Sequence, residues 1–183
     1  MSRYLGVEAL LRELVPADPR ERQFVEDMRE LLREQGCFDR DHYVPGHFTA
    51  SAFVLAPSAD ALLLIHHRKL GRWLQPGGHF EADDPGALEA ALREVTEETG
   101  VHALRRVGTG LLDADIHDIP PHKEIPSHRH FDLRFLFQAL DSSLAPTAEV
   151  AGARWFPFDE LDLSATDESV LRAVRKIRRA RPV

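Results

Sequence analysis

The stretch from Pro76 to Val101 reads PGGHFEADDPGALEAALREVTEETGV. Its second half has the pattern of an amphipathic helix. Leu88, Ala91, Leu92 and Val95 recur at helical spacing and supply one apolar face. Asp83 or Asp84 is placed to cap a helix running from Pro85 to Thr99, with Pro85 in the first turn and Gly100 as a left-handed stop. Glu94, Glu97 and Glu98 stand at i, i+3 and i+4, so their carboxylates leave the opposite face within reach of one another. Like charges at these spacings cost a helix about 0.2–0.5 kcal/mol per pair, so the arrangement makes sense with a cation among them. Hard carboxylate oxygens suit Mg²⁺ or Mn²⁺. Arg93 adjoins Glu94 and precedes Glu97 by one turn, where it can orient a carboxylate. A glutamate face alone reads as a solvated surface. The loop just upstream changes that reading, because Gly77 and Gly78 let backbone amides and carbonyls approach a ligand closely.

Outward from this stretch the chain has an ordinary globular composition. It contains 183 residues, 43% hydrophobic and 29% charged, enough for one domain with a modest appendage. A net charge of −7 argues against bulk nucleic-acid binding as a function, since neutralising many phosphates needs a basic face. Small phosphorylated ligands remain compatible with an acidic protein that holds metal ions. The single cysteine, Cys37, allows neither an intrachain disulfide nor a Cys-rich zinc site. Apolar runs such as Ala61 to Ile65 are too short to span a bilayer, and Met1 to Gly6 lacks an apolar signal core. The expected compartment is the cytoplasm, with no membrane partner.

Two helices are expected at the N-terminus. Val7 to Leu14 ends at Pro16, and a second begins at Asp18-Pro19, buries Phe24, Val25, Met28, Leu31 and Leu32, and stops near Gly36. This segment, residues 1–42, reads as a helical cap or a dimerisation arm, with a substrate-selecting role as the alternative, and its apolar stripes are compatible with a homodimer. Residues 43–183 form the main domain. Phe48 to Leu55 and Ala61 to His67 read as a hairpin around Pro57 to Asp60, Leu70 to Phe80 as loop. Further strands are expected at Val107 to Leu112, Phe131 to Leu140 and Ala153 to Phe156, and a last helix from Glu168 to Arg179. The order of elements indicates an α/β domain. The cations Arg172, Arg175, Lys176, Arg178, Arg179 and Arg181 read as a solvated helix end.

The central stretch resembles the Nudix box, G-x5-E-x7-R-E-U-x-E-E-x-G-U with U aliphatic. Arg93 to Val101 matches every specified position of its second half. The first half, from Gly78, is one residue longer, and its glutamate position falls on Asp83 or Asp84. Trp73 to His79 is similar to the family's W-x-x-P-G-G lead-in, and Arg154-Trp155-Phe156 to a strand that commonly follows. The resemblance runs from His47 to the C-terminal helix and implies an α/β/α sandwich with a mixed β-sheet, to which the N-terminal helices are an appendage. It implies a metal-dependent hydrolase cleaving a phosphoanhydride, or pyrophosphate, bond in a nucleoside-diphosphate-linked or related small-molecule substrate, with Mg²⁺ or Mn²⁺ as cofactor.

Carried over by residue, the resemblance makes Glu94, Glu97, Glu98 and the carbonyl of Gly77 metal ligands, with Arg93 holding Glu94 or a neighbour. Glu94 and Glu97 are candidate bases within the box, and Glu124, in a Pro-rich loop, is a further one. Gly78, His79 and Arg68 are expected at the substrate, Arg68 as part of the cationic run His66 to Lys69. His128, His130 and Asp132 alternate into a strand and share one face. They could bind metal, contact substrate phosphate or line a polar edge, and substrate contact is the expectation for His128 and His130. Trp73 and Phe131 could stack on a base or pack in the core. A non-catalytic Nudix-like ligand sensor is the alternative, but such domains usually lose box glutamates and all three are present. An isomerase of the isopentenyl-diphosphate type needs a cysteine in the main domain, which Cys37 is not.

Overall fold

The computed structural model describes residues 2–68 and 70–180. Its elements run α1 (Arg3–Glu13), α2 (Pro19–Leu31), β1 (Gly46–Leu55), β2 (Ala61–His67), β3 (Arg72–Leu74), β4 (Gly77–His79), α3 (Ala87–Thr99), β5 (Leu104–Arg106), β6 (Asp113–Ile119), β7 (His128–Ala139), β8 (Ala153–Pro157) and α4 (Glu168–Ala180). No helix among the described residues is long and apolar enough to cross a membrane.

The strands form one mixed sheet ordered β3-β2-β1-β7-β5, with β4 on β1, β6 on β7 and β8 on β2. β1 and β7 run parallel and the other pairs antiparallel. Strand alternation sends Phe48, Ala50, Ala52 and Val54 of β1 to one face, where Phe131, Leu133, Phe135 and Phe137 of β7 meet Ala90, Ala91 and Val95 of α3. Val7, Leu11, Val25, Met28 and Leu31 of α1 and α2 join that same core. Phe53, Leu55, Leu62, Leu64 and Leu136 face the other way and pack on Val170, Ala173, Val174 and Ile177 of α4. Helices therefore cover both faces, and the α/β/α sandwich expected from the sequence is the fold.

Several boundaries differ for physical reasons. The span from Leu70 to Phe80 is not all loop, because β3 pairs with β2 and the glycine pair of β4 fits tightly against β1. The expected strand at Val107 to Leu112 is absent, and strands stand on either side of it as β5 and β6. The inward-facing positions of β6 include Asp113 and Asp115, both buried, so no apolar alternation marks it. β1 and β2 pair only at the turn, Val54 with Leu63 and Leu55 with Leu62. The helix after Asp83-Asp84 starts at Ala87 with Gly86 as its cap, since Asp84 is engaged elsewhere. Asp18 does cap α2 with Pro19 following, and Gly100 ends α3 at φ 73°.

The C-terminal cations are not uniformly solvated. Arg172 donates to Asp113 at 2.6 Å and to Asp115 at 2.9 Å, and Lys176 reaches Glu21 and Asp113. Arg134, fully enclosed, meets Asp132 at 2.8 Å, Asp115 at 3.1 Å and Asp113 at 3.4 Å. Burial alone would raise the Asp115 carboxyl, but Arg134, then His117 and Arg172, hold it well below the usual carboxylate range. Arg175, Arg178 and Arg179 are exposed, as expected of solvated cations, and Arg181 falls outside the described residues.

This network fixes α2, β6, β7 and α4 to one another, and removing its central cation leaves three buried carboxylates short of a partner. Arg134→Ala is expected to cost about 3–5 kcal/mol of unfolding free energy at pH 7. Urea unfolding of wild type and variant measures this, and a loss below about 1 kcal/mol would show the network to be energetically idle.

Candidate active site on the glycine pair and the box helix

β4 and α3 meet at the glycine pair. A Cβ on Gly77 would stand 2.3 Å from Ser51 Cβ and 2.8 Å from the Ala50 carbonyl oxygen, so only glycine lets β4 lie this close on β1. A Cβ on Gly78 would stand 2.5 Å from Glu94 Oε1, in the space that carboxylate fills. The Gly77 N–H donates to Glu98 Oε2 at 3.0 Å. Glu94 and Glu98 thus lie on the face of α3 against β4, and Glu97 stands beside them, more exposed and held by Arg93.

Arg93 is the hub of the cluster. Its guanidinium donates to both Asp84 oxygens at 3.1 and 3.0 Å, to Glu94 at 3.0 Å, to Glu97 at 2.8 Å and to the His79 carbonyl at 2.8 Å. Asp84 also accepts from the Glu81 amide at 2.8 Å, so it both folds the loop and anchors the arginine. Burial would raise the Asp84 carboxyl, but the hydrogen bonds from Arg93 and Glu81 bring it below its ordinary value. Asp83, in contrast, is exposed. The extra loop residue noted in the sequence is accommodated with Asp84 on Arg93. Arg3 reaches across from α1 to the carbonyls of Glu81, Ala82 and Asp84 and braces the same loop.

Burial raises Glu94 to about 7 against the pull of Arg93, with Glu97 and Glu149 adding repulsion. Glu98 rises to about 8, again chiefly by burial, because one amide hydrogen bond does not offset desolvation and the charges of Glu94, Glu149 and Glu97. Two desolvated carboxylates repelling each other, beside a tightly apposed backbone, fit a hard divalent cation and nothing apolar.

Glu149 was not singled out by the sequence reading. It lies in the segment between β7 and β8, which crosses the end of α3 through an Ala145 amide bond to the Thr99 carbonyl at 2.8 Å. Arg68 holds that segment through the Ala148 carbonyl at 3.0 Å. Lys69, its neighbour in the cationic run, lies outside the described residues. Glu124 sits exposed in the turn between β6 and β7, and no contact of its side chain with α3 is found among the described residues. Trp73 packs edge-on against Phe156 and Phe131 lies in the core, so both are packing residues.

The histidines assemble elsewhere. Gly78 abuts Glu94, and the next residue along β4, His79, turns its ring to the other face, against His47 and His130. His47 pairs with His130 across β1 and β7, and His130 with His117 across β7 and β6. His79, His128 and His130, expected at the substrate, therefore cluster with one another and with His47, away from the α3 carboxylates. Burial and mutual repulsion lower His79 to about 4 and His130 to about 2.

A curled mixed sheet between helices, with a glutamate-bearing helix on a glycine pair, defines a Nudix-type domain. A model of the NUDIX domain matches residues 45–175, and the chain belongs to that family. It is 34% identical over 127 residues to a probable DHNTP pyrophosphohydrolase of Lactococcus lactis subsp. cremoris, covering 68% of this chain and 70% of that protein. It is 34% identical over 93 residues to the phosphatase NudJ of Escherichia coli K12, covering 49% of this chain and 54%, about half, of that protein. In fold it is similar to a Nudix-family hydrolase of Clostridium perfringens, with TM-score 0.55, 23% identity and coverage of 74% and 98%. The E. coli dihydroneopterin triphosphate pyrophosphohydrolase gives TM-score 0.55, 17% identity and coverage of 72% and 92%.

The raised carboxylates have a consequence for stability without metal. The Glu98 carboxyl ionises near its ordinary 4.5 when unfolded and near about 8 when folded, so the folded state holds the extra proton between those values. Stability is therefore highest at the acid side of this window and is lost as pH rises through it. In excess chelator, the melting midpoint of wild type should fall between pH 5 and pH 8 relative to Glu98→Gln, about the ordinary-to-folded window of this group. Parallel melting curves for the two proteins would contradict a desolvated Glu98.

Proposed function

We propose that the chain is a metal-dependent hydrolase that cleaves a phosphoanhydride bond in a nucleoside-diphosphate-linked or related small molecule. The observation that carries this is the pair of desolvated carboxylates, Glu94 and Glu98, side by side on α3 against the Gly77-Gly78 backbone. The names of the relatives, pyrophosphohydrolase and phosphatase, support the same reaction class.

Glu94, Glu97, Glu98 and the Gly77 carbonyl would hold Mg²⁺ or Mn²⁺. A divalent ion there supplies charge neutralisation on the phosphates and acidifies an attacking water. The protein's own part is positioning. Arg93 fixes the oxygens of Glu94 and Glu97, and Asp84 with the Arg3-braced loop fixes Arg93, so the ligand face is organised before substrate arrives. Burial is the main reason Glu94 and Glu98 are raised, and the charge of Glu149 adds to both, so Glu149 is the loop carboxylate assigned to take a proton from water. Glu124 lacks such a relation. Retention of all three box glutamates favours catalysis over a sensor role. Residues 1–42 serve in this reading as a helical brace on the box loop.

The test is a phosphate-release screen over nucleoside-diphosphate-linked compounds and dihydroneopterin triphosphate, with Mg²⁺ or Mn²⁺. Turnover should require metal and fall on the order of a hundredfold or more in Glu97→Gln, Glu98→Gln and Glu149→Gln. If Glu149→Gln retains full kcat while Glu124→Gln loses it, the base assignment is wrong. Binding of such compounds without metal and without any turnover would overturn the hydrolase reading itself.

A further inference from the structure

On the sheet face turned away from the α3 carboxylates, five histidines converge from four strands. His47 comes from β1, His79 from β4, His117 from β6, and His128 and His130 from β7. Ring centroids of His47 lie 4.8 Å from His130, 5.0 Å from His79 and 5.1 Å from His128. One ring nitrogen each from His47, His79 and His130 fall within 4.8 Å of one another. Nitrogens bound to one tetrahedral ion at about 2.0–2.1 Å would sit about 3.4 Å apart, so a small inward tilt of the rings closes the set.

The hydrogen bonding around the cluster points the same way. His47 is fully buried, and its Nδ1 faces the His42 carbonyl at 3.1 Å. A carbonyl only accepts, so that nitrogen carries the proton and Nε2 offers its lone pair. His47 Nε2 is buried and has no partner, and the same is true of His130 Nε2. Two orphaned ring nitrogens beside each other in a protein interior are costly unless something binds them. His128 repeats the pattern at the rim, with Nδ1 on the Pro126 carbonyl at 2.9 Å, and His117 lies 3.3 Å from the Asp115 carboxylate. An oxygen on the far nitrogen of an imidazole is the usual arrangement behind a metal-ligating histidine. A surface hollow lined by Pro45, Asp118, Ile119 and Ser127 has the rim histidine His128 in its wall.

We propose that His47, His79 and His130 form a transition-metal site, separate from the box carboxylates and selective for an ion of the Zn²⁺ type. The ligand chemistry separates the two centres: three neutral imidazoles suit Zn²⁺, whereas the box oxygens suit Mg²⁺ or Mn²⁺. Three protein ligands leave a fourth position for water or a ligand. The sites are joined through β4, because Arg93 holds the His79 carbonyl while it holds Glu94.

The test loads the full-length chain with Zn²⁺, and separately with Co²⁺, in the presence of excess Mg²⁺ and follows bound metal after desalting. Wild type should retain one equivalent and show the visible absorption of four-coordinate Co²⁺. His47→Gln, His79→Asn and His130→Gln should each weaken retention on the order of a hundredfold in chelator competition. Glu98→Gln and the exposed-histidine control His102→Gln should bind as wild type does. Circular dichroism of each variant establishes that it is folded, and His79, only half-buried, gives a variant that tolerates change if His47→Gln does not. No retained Zn²⁺, retention that survives the His79→Asn/His130→Gln double variant, or retention lost in Glu98→Gln would each overturn the proposal.

Discussion

Close approach of the β4 backbone to α3 is the constraint on which the site depends. Glycine at 77 lets β4 lie close on β1, glycine at 78 leaves the space that the Glu94 carboxylate fills, and the Gly77 amide donates to Glu98. Carboxylates pressed into such a gap lose hydration, and their repulsion is left uncompensated by anything except Arg93 and one amide. The helix tolerates this because its other face is anchored in the core by Ala90, Ala91 and Val95. Packing energy on one side holds electrostatic strain on the other, and that strain is what a divalent ion would relieve.

How much of this was legible in the sequence depends on whether the signal was periodic. The helix of the box, its glutamate triplet and its arginine follow from spacing alone, and the alternation of His128, His130 and Asp132 placed them on one face correctly. β6 was missed because its buried alternate positions are Asp113 and Asp115, which read as surface until their partners are known. Those partners, Arg134 and Arg172, come from strand and helix positions 19 and 57 residues away in sequence. The same ignorance made Arg172 and Lys176 look like solvated cations. Glu149 and His47 were missed for a related reason. Neither carries a local pattern, and each acquires its role only from loop crossing or cross-strand register.

The α3 face carries the box carboxylates, the histidine rings stand on the α4 face beside the buried aspartate network, and β4 contributes to both. A single strand of three residues thus carries information in either direction, since any shift of Gly78 against Glu94 must move His79 against His47.

The bonds of Glu21 alter how the N-terminal helices should be regarded. Its two oxygens accept from the Ala114 amide of β6, the Ala17 amide and the Lys176 ammonium of α4, although the family match begins only at residue 45. A buried acid shared among a preceding helix, an edge strand and the last helix ties both ends of the chain to one another. Trimming at the family boundary would strip the Ala114 amide of its side-chain acceptor, leave the Lys176 ammonium with Asp113 alone, and open the core beneath Val25 and Met28. Residues on both sides of that boundary therefore share one core and one buried ion network.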